Sequence, residues 1–138
     1  MVLRSAAVTK MDRFDESLKN ADDRLFWIQF LSKHNGVFLN EILHDYRVVS
    51  SGITGQGMLK KGPYKISALE KAKSYCAKKE LIRLLDKEIA SNYIAMSRES
   101  KKNRNSSLQR LYALKSINHR PSYKALKLLV SSLLNGII

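Results

Sequence analysis

Ile82, Leu85, Ile89, Tyr93 and Met96 follow one another at spacings of three, four, four and three residues. Side chains so spaced share a face only on an α-helix, so this stretch reads as a helix with one buried stripe. The pattern extends along the chain. Proline occurs only at Pro63 and Pro121, and no stretch alternates with the period of two that a half-buried strand requires. An all-α fold of five to six short helices follows, and 138 residues suit a single compact domain.

Three parts are expected within it. Residues 1–10, "MVLRSAAVTK", read as a flexible basic arm without the apolar block of a secretory signal. The helical domain covers 11–138: a weakly charged helical part (11–48), a long glycine-rich central loop (49–66) and a basic helical part (67–138). Phe14, Leu18, Ala21, Leu25 and Ile28 share a face over 11–35, with the helix starting either near Asp12 or, with Asn20 as cap, at residue 21. Asn35-Gly36 supplies its stop. Leu39, Ile42, Leu43 and Tyr46 predict a second amphipathic helix from Val37 to about Val48.

The stretch "SSGITGQGMLKKGPYK" holds four glycines and a proline and reads as the loop. Ser67 and Glu70 form a capping-box pattern that predicts a helix start at 67. Leu69, Ala72 and Cys76 make one stripe, and the register slips at Lys78-Lys79, so a bend or two successive helices are expected before an end near Arg98. Ser106 or Ser107 caps a short helix bearing Leu108, Leu111, Tyr112 and Leu114. Pro121-Ser122 opens a last one, closed at Asn135-Gly136, with Leu126, Leu129, Val130, Leu133 and Leu134 inward.

Charge narrows the choice of partner. Residues 1–69 hold 10 basic and 7 acidic residues, whereas residues 70–138 hold 15 and 5, so +10 of the net +13 belongs to the second half. No acid follows Glu99. Such a field draws polyanions over a Debye length of about 8 Å at physiological salt. Phosphate contacts are expected from Arg98, Lys101, Lys102, Arg104, Arg110, Arg120, Lys124 and Lys127, joined by Lys60, Lys61 and Lys65 from the loop. Tyr64, Tyr112 and Tyr123 adjoin basic residues and are placed to stack on unpaired bases, although half-buried structural tyrosines would look the same.

Catalytic chemistry finds little footing. The glycine spacing resembles a phosphate loop only superficially: Met58-Leu59 follows Gly57, and Pro63 follows Gly62, where a lysine and a hydroxyl would be needed. His34, His44 and His119 lie on separate elements, Cys76 is the single cysteine, and no metal-ligand spacing occurs. Asp86-Lys87-Glu88 holds nuclease-like residue types, but helix neighbours point apart. No catalytic residue, cofactor or metal ligand is therefore assigned. A lone cysteine rules out an internal disulfide and fits a reducing, cytoplasmic setting, with mitochondrial and nuclear locations compatible. The apolar region from Leu126 to Ile138 is interrupted by Ser131, Ser132, Asn135 and Gly136, so stable membrane insertion is not expected.

Residues 86–104, "DKEIASNYIAMSRESKKNR", resemble the helix-turn-recognition helix of LuxR-type regulators, with Lys87-Glu88-Ile89-Ala90 in the first helix and Ser97–Lys102 opening the second. The resemblance covers under a fifth of the chain. It departs at Lys101, which falls where an apolar core residue belongs, and in a turn one residue too long; the family is not assigned. The expectation is a non-enzymatic nucleic-acid-binding protein, partnered by DNA or RNA, acting as a regulator of transcription or an accessory factor in DNA transactions. Trp27, Phe26 and Phe30 cover more than one helix face and offer a route to a homodimer through the N-terminal helices. The rival readings are a structural nucleoprotein or coat subunit polymerising on a genome, and an adaptor or inhibitor that meets an acidic protein.

Overall fold

The stripe from Ile82 to Met96 lies in the longest of five helices: α1 (Asp22–Lys33), α2 (Met58–Lys73), α3 (Lys79–Lys102), α4 (Ser106–His119) and α5 (Tyr123–Leu134). The structure is a computed structural model that describes Val8, residues 14–43, Asp45 and residues 55–134. No strand occurs among the described residues. The basic arm (apart from Val8) and the Asn135-Gly136 stop lie outside them, as does most of residues 44–54.

α3 is the central element, packed against α2, α4 and α5, while α1 lies on α2. On the α2 side Ile66 and Leu69 meet Ile89 and Met96 in a buried cluster. Each such fully buried side chain contributes on the order of 2 kcal/mol. A Cβ added at Gly62 would stand 2.6 Å from the buried Met96 sulfur, so glycine is what allows this approach. Ala68 and Ala72, on the next strip of α2, pack with Leu18, Ala21 and Leu25.

The expected loop is shorter than read from sequence, because α2 already begins at Met58. Its cap is not local: the Glu99 carboxylate of α3 accepts the backbone N–H groups of Met58 and, at 3.2 Å, Leu59. A side chain at Gly57 would collide with that carboxylate, so glycine is required there as well. Ser67 and Glu70 consequently fall inside α2 and form no capping box; Glu70 instead pairs with Lys73 at 2.8 Å. Of the bend or two successive helices expected, two helices form, with the break over Ser74–Lys78 beside the slip at Lys78-Lys79.

The amphipathic helix expected over 37–48 is not formed in its described part. Residues 35–43 are non-helical, and Val37, Phe38, Leu39, Ile42 and Leu43 are exposed. A segment this short is marginal as a helix unless a face packs against the core. α1 takes the later of its two starts. Asp15 folds the preceding residues into a turn, accepting the Ser17 N–H at 3.0 Å, and Ala21 enters the helix at φ 68°. Its end needs no left-handed glycine: His34 turns extended, at φ −132°.

α4 and α5 turn a different face inward from the one the leucines predict. Gln109, Ala113 and Ser116 of α4 and Ala125, Leu128 and Ser132 of α5 are buried, whereas Leu111, Leu114, Leu126, Val130, Leu133 and Leu134 are exposed. Small side chains let the helix backbones approach, and their hydroxyls then reach carbonyls of the neighbour. Ser97 Oγ donates to Gln109 O (2.8 Å), Ser116 Oγ to Ala90 O (3.0 Å), and Gln109 Nε2 to Leu128 O (2.8 Å). Among the described residues no buried side-chain nitrogen or oxygen lacks a hydrogen-bond partner, as burial demands. Asn105, rather than Ser106 or Ser107, caps α4 by accepting the Leu108 N–H at 2.9 Å. Ser122 caps α5 in the expected place, through the Ala125 N–H.

α3 therefore runs unbroken through residues 86–102, so the segment that resembles a helix-turn-helix contains no turn before Asn103. Phe26 and Phe30 are buried within the chain itself, stacked in a row with Phe14 and His34, while Trp27 stays half-buried.

Candidate nucleic-acid interface

Antiparallel packing decides which charges meet. Ser97 bonds to Gln109 and Ser116 to Ala90, so α4 runs back along α3; Glu99 caps the start of α2 while Lys73, at its end, reaches Asp86 at 2.7 Å. The first turn of α2, the last turns of α3 and the first turn of α4 consequently share one end of the bundle. α5 returns its last turns to the same end, where Lys101 Nζ donates to Ser131 Oγ (2.8 Å) and Arg110 reaches the Ser132 carbonyl at 3.4 Å.

This end holds Lys60 and Lys61 from α2, Arg98, Lys101 and Lys102 from α3, Arg104 from the turn and Arg110 from α4. Apart from the half-buried Lys61, all of these side chains are exposed. Glu99 is the single acid among residues 94–134, and its carboxylate is committed to the α2 backbone. The surrounding cations therefore meet no acid from α3, α4 or α5 there.

Arg104 occupies an unusual backbone position. It sits at φ 55°, its N–H donating to Lys101 O while the Asn105 N–H donates to Ser100 O. This pair of bonds closes a helix C-terminus around a left-handed residue that is usually glycine. An arginine there strains the backbone by about 1 kcal/mol and points a permanent cation out of the turn.

The opposite end also carries basic groups, and there Lys71, Lys73 and His119 lie beside carboxylates. Lys73 lies 2.8 Å from Glu70 and 2.7 Å from Asp86, and His119 stands between the same two acids, at 3.5 and 3.3 Å. Burial alone would depress the Lys73 ammonium, yet its hydrogen bonds to Asp86 and Glu70 together outweigh that and raise it. The Lys73 hydrogen bond holds the Asp86 carboxyl below its usual range. Lys71 pairs with Asp15, whose pKa falls from 3.8 to about 2 through hydrogen bonds from Lys71 and Ser17. Arg120 and Lys124 are exposed at this end, with Lys127 a turn further along α5. Arg120 stands about 20 Å from Arg104, the length of the fourteen-residue α4, while Lys127 lies part-way back along α5.

The eleven expected phosphate contacts thus divide. Seven share the first end; Arg120 and Lys124 lie away from it; Lys127 stands between the two ends, on α5 before Leu128; Lys65 sits lower on α2, beside Arg24. Tyr112 is half-buried and stacks on Tyr93, which in turn stacks on His119, so it is structural rather than available to a base. Tyr123 is exposed, and Tyr64 lines a cleft.

Two clefts, of about 430 and 420 Å³, open between α2 and the residues around α1. The first is lined by Lys19, Asn20, Gln56, Lys60, Lys61 and Tyr64; the second includes Asn20, Arg24, Trp27, Leu31 and Lys65. Lys19, Arg24 and Gln56 escaped the sequence reading. They come from a half whose net charge is small, and nothing in their spacing marks them as neighbours of Lys60 and Lys65.

No three His, Cys, Asp or Glu side chains are grouped to hold a metal ion among the described residues, and none of their helices is long and apolar enough to cross a membrane. Compared with protein-family models, with curated proteins and with solved structures, the chain matches none significantly.

Proposed function

We propose that the chain is a non-enzymatic nucleic-acid-binding protein, a regulator or an accessory factor in DNA transactions, which holds phosphates at the end of the bundle around Arg104. One observation carries this reading: cations from α2, α3, α4 and the Arg104 turn converge where the only nearby acid of α3–α5, Glu99, is already bonded to the α2 backbone. Cations gathered in this way repel one another, and a phosphate backbone relieves that repulsion while releasing its own counterions.

A second reading, a structural nucleoprotein that polymerises along a genome, draws on the apolar residues Leu126, Val130 and Leu133, which are exposed at helical spacing on α5. It shares the charge evidence and differs in stoichiometry. The test is a titration of the intact protein against duplex DNA, single-stranded DNA and RNA over a series of salt concentrations. Saturable binding with a steep log–log salt slope supports the proposal. Site density that rises cooperatively with protein concentration favours the polymerising subunit, and weak, non-saturating binding to all three ligands refutes both and points to an acidic protein partner.

A further inference from the structure

The two clefts beside α1 adjoin. Asn20 lines both, and the neighbours Tyr64 and Lys65 on α2 divide between them. Each has an aromatic side chain together with cations: Trp27 with Arg24 and Lys65 in one, Tyr64 with Lys60 and Lys61 in the other. Their volumes fall within the range of small-molecule sites, so each suits one monomer unit of a larger ligand. Trp27 is only half-buried; it meets Phe26 and Phe30 edge-on, with centroids 5.0 and 6.5 Å away, and also lines the cleft.

We infer that these clefts bind two successive unpaired nucleotides, one base against Trp27 and the next against Tyr64, with the intervening phosphate held by Lys61 and Lys65. The inference rests on the nucleic-acid reading and narrows it to single strands. An aromatic face stacks on a base only where the base's own face is open, which a duplex does not offer. The amides of Asn20 and Gln56 present both donors and acceptors to base edges.

Charge agrees with the placement of the phosphate. Arg24 and Lys61 crowd Lys65, and together with burial, the larger cause, they lower its pKa; the one acid answering it is Glu88, which is also 3.2 Å from Arg24. Asp23 lines the Trp27 cleft too, its carboxylate accepting the Arg24 N–H at 2.7 Å, and would repel a phosphate on that side. Lys61 and Lys65, on consecutive turns of α2, stand where the two clefts adjoin, and that junction is where the backbone of the strand would pass.

Trp27 is the only tryptophan, so the fluorescence of the intact protein reads this cleft directly. The experiment titrates oligothymidylate, oligouridylate and a mixed-sequence duplex into the protein, following Trp27 emission and, separately, the anisotropy of labelled ligand. Tyr64→Ala and Trp27→Leu are compared by anisotropy after circular dichroism has shown each to be helical. The expected result is saturable Trp27 quenching by a single strand but not by the duplex, and a roughly fivefold or greater loss of single-strand affinity in Tyr64→Ala with duplex affinity unchanged. The DNA and RNA arms show which sugar is preferred. Saturable binding of strand and duplex alike, with Trp27 emission unmoved, overturns the cleft while leaving the nucleic-acid reading standing. Absence of saturable binding to any ligand overturns both.

Discussion

The two ends of the helical bundle handle the same excess of positive charge in opposite ways. Around Asp86, Lys71 and Lys73 pair with Asp15, Glu70 and Asp86, and His119 stands beside the same Glu70 and Asp86. Around Arg104, cations from three helices and a turn gather beside one carboxylate, and that carboxylate is spent on capping α2. At one end carboxylates of the fold answer several of the cations, and at the other we propose that an outside anion does. Net charge alone does not carry this distinction, because exposed cations occur at both ends; the difference lies in where the acids are.

The largest expected stability effect separates the two uses of a carboxylate. Glu99→Ala leaves the first N–H groups of α2 without their acceptor and costs about 2 kcal/mol. Asp86→Ala breaks a partly exposed network and costs about 1 kcal/mol or less. Urea unfolding measures both, and equal losses would break the comparison. Glu99→Ala should also tighten polyanion binding, since it removes the one acid among residues 94–134, whereas Asp86→Ala should leave binding unchanged.

Arg104→Gly sharpens the contrast with effects of opposite sign. Glycine relieves the left-handed backbone and stabilises the fold by about 1 kcal/mol, while the salt slope of polyanion binding falls by roughly one. A variant that loses both stability and affinity, or loses neither, contradicts the assignment of Arg104 to the interface. Smaller still is the acid response of the paired end. Asp15 titrates near 3.8 unfolded and about 2 folded, so its contribution is present above pH 3.8 and is lost as pH falls toward 2. Asp86 shifts in the same direction. Asp15→Asn should flatten acid unfolding in that window, read by circular dichroism against pH, and leave binding near neutrality untouched.

Legibility in the sequence followed where each signal resides. The stripe of α3 was readable because a long, self-contained periodicity needs no partner to define it, and the break before Lys79 showed as a slip in that stripe. The start of α2 was hidden because its cap comes from Glu99, some forty residues away. Residues 37–43 show that periodicity is necessary for an amphipathic helix but not sufficient. α4 and α5 inverted the usual rule: Ala113, Ser116, Ala125 and Ser132 face inward because close backbone approach with satisfied hydroxyls takes the place of leucine packing.

The candidate site was legible as a region and not as a surface. The basic run from Arg98 onward pointed to phosphates, yet only folding shows that Arg98–Arg110 joins Lys60 and Lys61 while Arg120 and Lys124 lie elsewhere. Lys19 and Arg24 join the α2 lysines through tertiary packing alone, which no one-dimensional pattern records.

The most direct test of the account removes three cations from each end in turn. The salt dependence of polyanion binding is measured for Lys101→Ala/Lys102→Ala/Arg104→Ala and for Lys115→Ala/Arg120→Ala/Lys124→Ala, against the intact protein. The account predicts that the first variant lowers the log–log slope by roughly two to three units and the second by less than about one. Equal losses in the two variants would mean that binding follows net charge alone, and the distinction between the ends would fall.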